Sequence, residues 1–194
     1  MVKLWIALSL GLCLIANGLV VSAADKGSAE KPSVGKPVVD FELAAVAGTL
    51  EGEVRLTETL KHGPVLLVVL RGYPEYQCPA CTRQVGALIG QAKTFADHNV
   101  NVLLVYPGAE KDLDKHADEF LHGTKLPAPF TFLLDPGYKF TNAYGLRWDA
   151  PKETAYPSTF LIDTDRTVKY AKISSTHGDR AEVKQLIAAI KELK

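Results

Sequence analysis

The stretch that most constrains this chain is Pro64-Val65-Leu66-Leu67-Val68-Val69-Leu70. It is apolar throughout and rich in β-branched residues, without the alternation of a strand that has one wet face. Such a run suits a strand buried on both faces of a sheet. A short loop, 71–77, follows it. Then Val85, Leu88, Ile89, Ala92, Phe95 and Ala96 recur at the i, i+3, i+4, i+7 spacing of an amphipathic helix. Pro79 suits the first turn of that helix. The strand, loop and helix thus form one unit, with Cys78 at the helix N-terminus and Cys81 one turn inside.

The rest of the chain repeats the theme. Residues 100–106 (VNVLLVY) read as a second buried strand and 130–134 as a third, with helical stretches at 111–121 and 138–144, the latter closed by Gly145. Residues 38–43 and 49–55 read as short strands around Gly48. Residues 159–163 and 167–173 form a hairpin about Thr164-Asp165-Arg166. The final helix spans 179–193, opened by a capping-box-like pair, Asp179 and Glu182. Strands that alternate with helices and end in a hairpin and helix predict an α/β fold, with a mixed central sheet flanked by helices.

The N-terminus has a different character. Lys3 precedes an apolar run that ends in Ser22-Ala23-Ala24, the pattern of a secretory signal peptide over 1–23. Uncleaved, the run would be long enough to anchor the chain in a membrane. A lipid attached at Cys13 is excluded, because Leu12 stands where a small residue is needed. Residues 24–37 (ADKGSAEKPSVGKP) read as a flexible leader and 38–194 as one domain. The expected location is therefore periplasmic or extracellular. Without Lys3 the chain holds 21 basic residues against 22 acidic ones. No Lys/Arg cluster marks a nucleic-acid partner or an anionic membrane surface.

Cleavage would leave Cys78 and Cys81 as the only cysteines. A bridge between residues three apart closes too small a loop to stabilise much, so a structural staple is a poor reading. Zinc needs four ligands, and neither a second cysteine pair nor suitably spaced histidines are present, so no metal and no cofactor is expected. A redox pair fits best. Partial positive charge at a helix N-terminus favours the thiolate of Cys78, and Cys81 lies within reach of it to form a disulfide that an outside thiol reduces again.

Tyr73-Pro74-Glu75-Tyr76-Gln77-Cys78-Pro79-Ala80-Cys81-Thr82-Arg83-Gln84 also resembles the active-site loop of the peroxiredoxins of the alkyl hydroperoxide reductase/thiol-specific antioxidant type, in particular their bacterioferritin comigratory protein branch. "LLDPGYKFTNAYGLR" and "STFLIDTDRTV" resemble the family too. The resemblance covers most of 36–194. It implies a thioredoxin-like fold and a peroxidase acting on hydroperoxides with a thioredoxin-type or other thiol reductant. Tyr73, Pro74, Thr82 and Gln84 match the motif, and Cys81 takes the peroxidatic position. Two positions depart from it. Cys78 replaces a threonine, and Pro157 replaces an arginine. Both replacements are thioredoxin-like, and Tyr156-Pro157 falls where the thioredoxin fold keeps a cis-proline facing its cysteines.

Which cysteine attacks stays open at this point. Position on the helix favours Cys78, and alignment favours Cys81. A protein-disulfide reductase with Cys78 as nucleophile and a non-catalytic thioredoxin-fold binding module are the alternative functions. Arg71, directly after the buried strand, either tunes a thiol, replaces the arginine missing at 157, or is a solvated surface charge. Arg83 reads as solvated. Arg147 and Trp148 follow Gly145 in a loop that either borders the crevice or, the preferred reading, simply half-buries its Trp, and His177 reads as structural, in the entry turn of the last helix.

Overall fold

The computed structural model describes residues 1 and 29–193, so the segment read as a signal peptide, with Cys13, lies outside the described residues. Among the described residues, no helix is long and apolar enough to cross a membrane.

Among the described residues, seven strands form one mixed sheet: β1 (Glu42–Gly48), β2 (Gly52–Arg55), β3 (Val65–Val69), β4 (Asn101–Gly108), β5 (Phe130–Pro136), β6 (Ser158–Ile162) and β7 (Val168–Ile173), in the order β2-β1-β5-β4-β3-β6-β7. β3, β4 and β5 run parallel, and the flanking pairs are antiparallel. Every residue of β3 is fully buried. Leu66 and Val68 face one core with Val85, Leu88, Phe95 and Leu186, while Val65, Leu67 and Val69 face the other with Phe41, Phe140 and Tyr144. The continuous apolar run is the consequence of helices covering both faces.

Among the described residues, six α-helices complete the fold: α1 (Leu56–Thr59), α2 (Pro79–Ile89), α3 (Ala92–Asp97), α4 (Leu113–Leu121), α5 (Lys139–Ala143) and α6 (Val183–Lys191). The helical stripe expected across 79–96 is two helices, broken at Gly90-Gln91. Glycine is a weak helix former there, and the break lets Phe95 meet Phe130 edge-on at 5.9 Å. The first strand lies later than the sequence suggests, because residues 38–41 are extended but do not join the sheet. The capping box of the last helix does not form. Asp179 is instead paired with Lys172 at 2.6 Å, and α6 starts at Val183 after an uncapped Glu182.

The described end of the leader is tied to the domain. Gly35 N–H donates to Val168 O, Val168 N–H to Lys36 O and Val38 N–H to Arg166 O, so residues 35–38 run along the start of β7.

Candidate active site

The site forms where β3 ends and α2 begins. The chain leaves β3, turns at Gly72 and enters α2 at Pro79. Gly72 has φ +77°, and a Cβ there would lie 1.8 Å from the carbonyl oxygen of Pro107 at the end of β4. Only glycine permits that approach. It seats the loop on β4, with Tyr73 N–H donating to Pro107 O. Tyr73 then stacks on His116 of α4 at 3.5 Å, Pro74 is buried, and Gln77 links Tyr106 Oη to His116 O.

Cys78 is the N-cap of α2. Its Sγ accepts the Cys81 N–H at 3.2 Å, the place usually taken by a serine or aspartate oxygen. Cys81 lies deeper, fully buried against 3% exposure for Cys78, and both are free thiols. Arg71 N–H donates to Cys81 Sγ at 3.3 Å. Two buried sulfurs this close cannot both ionise, because like charges disfavour each other. A hydrogen bond from the Cys81 side chain, helped by the Cys81 N–H and the charges of Arg180 and Arg71, pulls the Cys78 thiol down to about 5 against the cost of burial. Burial, and then the proton shared with Cys78, pushes Cys81 well up. The pair is thus split, with the Cys78 thiol held low and the Cys81 thiol held high.

Arg180 reaches both sulfurs. Its Nη2 lies 3.6 Å from Cys78 Sγ and 3.4 Å from Cys81 Sγ, while Nη1 donates to Gln84 Oε1 at 2.8 Å and Nε to His177 O at 2.8 Å. It comes from the segment before α6, 102 residues from Cys78 in sequence. Sequence reasoning passed over it. The only signal was a cation in the Ser/Thr/Gly-rich stretch 174–180.

Arg71 is not a surface charge: it is 1% exposed. Its Nε pairs with Glu153 Oε2 at 2.7 Å, its Nη2 donates to Lys152 O at 2.6 Å, and its guanidinium packs on the Tyr76 ring. Glu153, unremarked in the sequence, also takes His177 Nε2 at 2.8 Å. Burial works against its ionisation, but hydrogen bonds from Arg71 and His177 outweigh that and hold its carboxyl below the usual range. His177 is thus more than part of an entry turn. It sits beside the site, edge-on to Trp148, which in turn stacks on Tyr156 at 4.8 Å. Arg147 covers the Tyr138 ring and donates to the carbonyls of Trp148, Glu153 and Thr154.

The remaining expectations divide. Thr82 is exposed, its hydroxyl 3.4 Å from Cys78 O, and Arg83 is exposed as expected. Pro157 is not the expected cis-proline. The one cis bond among the described residues is Ala128–Pro129. Residues 156 and 157 enter β6 in extended form, with Tyr156 N–H on Leu146 O and Ser174 N–H on Pro157 O, and a residue before proline favours that extended state. A groove of about 220 Å³, lined by Ala80, Gln84, Leu88, Arg180 and Val183, runs beside the cysteine turn.

Residues 34–171 match the AhpC/TSA family. No curated protein sequence matches the chain. Among solved structures, peroxidoxin BcpB from Mycobacterium tuberculosis is 24% identical, covers 84% of this chain and 99% of its own, and has a TM-score of 0.64. The reduced 2-Cys peroxiredoxin of Plasmodium vivax is 22% identical over 81% of this chain and 80% of that one, with a TM-score of 0.64. AhpC of Mycobacterium bovis is 14% identical over 83% and 92%, with a TM-score of 0.65. These likenesses show a common fold, the thioredoxin-like arrangement expected from the loop motif.

Proposed function

The chain belongs to the AhpC/TSA family of thiol-dependent peroxidases, and we propose that it reduces hydroperoxides through a Cys78/Cys81 pair in which Cys78 attacks and Cys81 resolves. The observation that carries this is Cys78 Sγ at the α2 N-cap, under Arg180, beside a cysteine that holds the shared proton. The Cys78 thiolate attacks one peroxide oxygen, the O–O bond breaks, and the leaving alkoxide or hydroxide takes a proton from solvent. Cys78 becomes a sulfenic acid. Cys81 sulfur then attacks it, the S–S bond forms, and the hydroxyl leaves as water with the Cys81 proton. An external dithiol donor of thioredoxin type reduces the disulfide and is itself oxidised. The groove beside Arg180 offers apolar surface for the organic part of an alkyl hydroperoxide.

Two features set this reading against the alignment, which puts the peroxidatic role on Cys81. Cys81 is the more buried sulfur, and its proton is the harder to remove. The test treats Cys81→Ser and Cys78→Thr proteins with hydrogen peroxide and traps sulfenic acid for mass spectrometry. The expected result is rapid sulfenylation of Cys78 in the first and slow oxidation of Cys81 in the second. The reverse order would transfer the peroxidatic role to Cys81, since threonine at 78 restores the family motif. The Cys-x-x-Cys geometry also favours a second reading, in which the same thiolate attacks protein disulfides. Insulin-disulfide reduction tests it, although the trans Tyr156–Pro157 bond removes one thioredoxin feature from its support.

Export belongs to the same proposal. It rests on the basic start, apolar run and small residues of 1–24. The mass of the protein recovered from cells checks it: loss of residues 1–23 or 1–24 is expected, and a full-length soluble cytoplasmic protein would overturn it.

A further inference from the structure

Four polar side chains surround the cysteine pair in a continuous chain of contacts. Arg71, whose N–H donates to Cys81 Sγ, pairs with Glu153 Oε2. Glu153 Oε1 holds His177 Nε2. The carbonyl of His177 accepts Arg180 Nε, and Arg180 Nη2 lies on both sulfurs. Glu153 is the midpoint and never touches a sulfur. Its backbone placement is deliberate. The segment 147–155 folds back on itself through an Arg147–Ala155 bridge and a Trp148 N–H to Thr154 O bond, and Lys152 sits at φ +61°. A lysine in the left-handed region is strained, and such strain persists where the surroundings require it. Here it delivers the Lys152 carbonyl and the Glu153 carboxylate to Arg71 together.

Arg180 lies on a segment with little else to fix it. Residues 175–182 contain no helix or strand, and Arg180 is only partly buried. Its guanidinium is aimed by three partners: Gln84 on α2, the His177 carbonyl and the sulfurs themselves. The His177 carbonyl is in turn set by its own side chain, which is pinned between Glu153 and the edge of Trp148.

We propose that Glu153 is the positioning residue of this centre, holding Arg180 on the sulfurs through His177 and Arg71 behind Cys81. The proposal rests on the Cys78 thiolate reading above, and it carries an unusual sign. Glu153 is an anion near a thiolate, so by charge alone it disfavours ionisation of Cys78, and its removal would lower the Cys78 midpoint. As a positioning residue it favours ionisation, because its loss frees Arg180, and removal would raise the midpoint. The two roles predict opposite shifts.

The experiment follows iodoacetamide alkylation of Cys78 against pH in the reduced protein lacking residues 1–23 and carrying Cys81→Ser, with and without changes at Glu153. Glu153→Ala is expected to raise the midpoint by about one pH unit, within the range an adjacent cation commands. Glu153→Gln, which keeps one acceptor oxygen but no charge, is expected to raise the midpoint less than Glu153→Ala does. A lower midpoint in both variants would show a purely electrostatic role and overturn the proposal. Because Glu153→Ala leaves Arg71 unpaired, His177→Ala provides a second route at a side chain 43% exposed. It is expected to raise the midpoint in the same direction, and an unmoved midpoint in that variant would break the His177 link. Peroxide consumption by the otherwise unaltered protein is measured in parallel. If it is absent while the midpoint shifts hold, the peroxidase reading fails and the positioning role survives.

Discussion

Replacing Arg180 with methionine removes the guanidinium from both sulfurs and from Gln84 while keeping most of the apolar stem. Two effects follow, and their sizes separate them. The first is on ionisation. A cation at this distance lowers a thiol by about 1–3 pH units in a site of this kind. The Cys81 hydrogen bond is the larger cause of the Cys78 shift, so the lower end of that range applies and the midpoint moves from about 5 to roughly 6. At pH 8 the variant is still almost wholly thiolate, and this effect vanishes there. The second is on the reaction. As the O–O bond breaks, negative charge leaves sulfur for oxygen, and a guanidinium beside the sulfur is placed to follow it. A hydrogen bond to a charged group is worth about 1.5–3 kcal/mol, or about 10- to 150-fold in rate. Competition kinetics for peroxide at pH 8, with iodoacetamide profiles of Cys78 beside them, measure both effects. The expected outcome is a rate loss of at least about tenfold at pH 8 with a raised midpoint. An unmoved midpoint and a loss under about twofold would refute the assignment of Arg180 to the chemistry.

Two further perturbations test the frame that holds the pair. Gly72→Ala places a methyl group against the Pro107 carbonyl at a φ that costs a side chain about 1–3 kcal/mol, so both the melting temperature and the rate of peroxide reduction should fall, and wild-type values for both would contradict the close approach. The Cys78 thiolate should also give the reduced protein a pH-dependent stability. Its folded midpoint, about 5, lies below the ordinary thiol value of 9.0, so the stabilisation is complete above pH 9 and is lost as pH falls towards 5. Urea unfolding under reducing conditions should therefore show a gain of up to about 1.4 kcal/mol per pH unit between pH 6 and 8, and a Cys78→Thr protein should lack it.

The local part of the site was legible in the sequence. The run at 64–70, the helical periodicity after it and the proline after Cys78 are short-range signals, and together they place Cys78 at the N-cap and Cys81 one turn on. The sheet's mixed character was legible for the same reason, since unbroken apolar strands and a terminal hairpin each imply their own pairing. The errors were of one kind. Strand β1, between β2 and β5, was shifted because its small residues, Ala44, Ala45 and Ala47, give no clear alternation, and its register is set by β5 rather than by itself. Asp179 looked like a cap because the sequence does not reveal that Lys172 on the neighbouring strand competes for it.

The helix-end effect on Cys78 was legible, but the charged side chains that hold the centre were not, and the reason is distance along the chain. Arg180 meets the sulfurs across 99 and 102 residues, and Arg71 meets Glu153 across 82. No local pattern encodes such pairs. Alignment with the family motif suggested a lost arginine at position 157, and the sequence offered Arg71 as its only candidate replacement. The structure divides that role. Arg71 turns its side chain away to Glu153 and gives Cys81 only its N–H, while the guanidinium on the sulfurs arrives from the segment between β7 and α6. A cation that moves between elements in this way preserves the charge at the reacting atoms while changing what holds it. In this chain the holder is Glu153 through His177, which ties the reactivity of the cysteine pair to the packing of two loops, 147–156 and 174–182, rather than to a strand of the sheet.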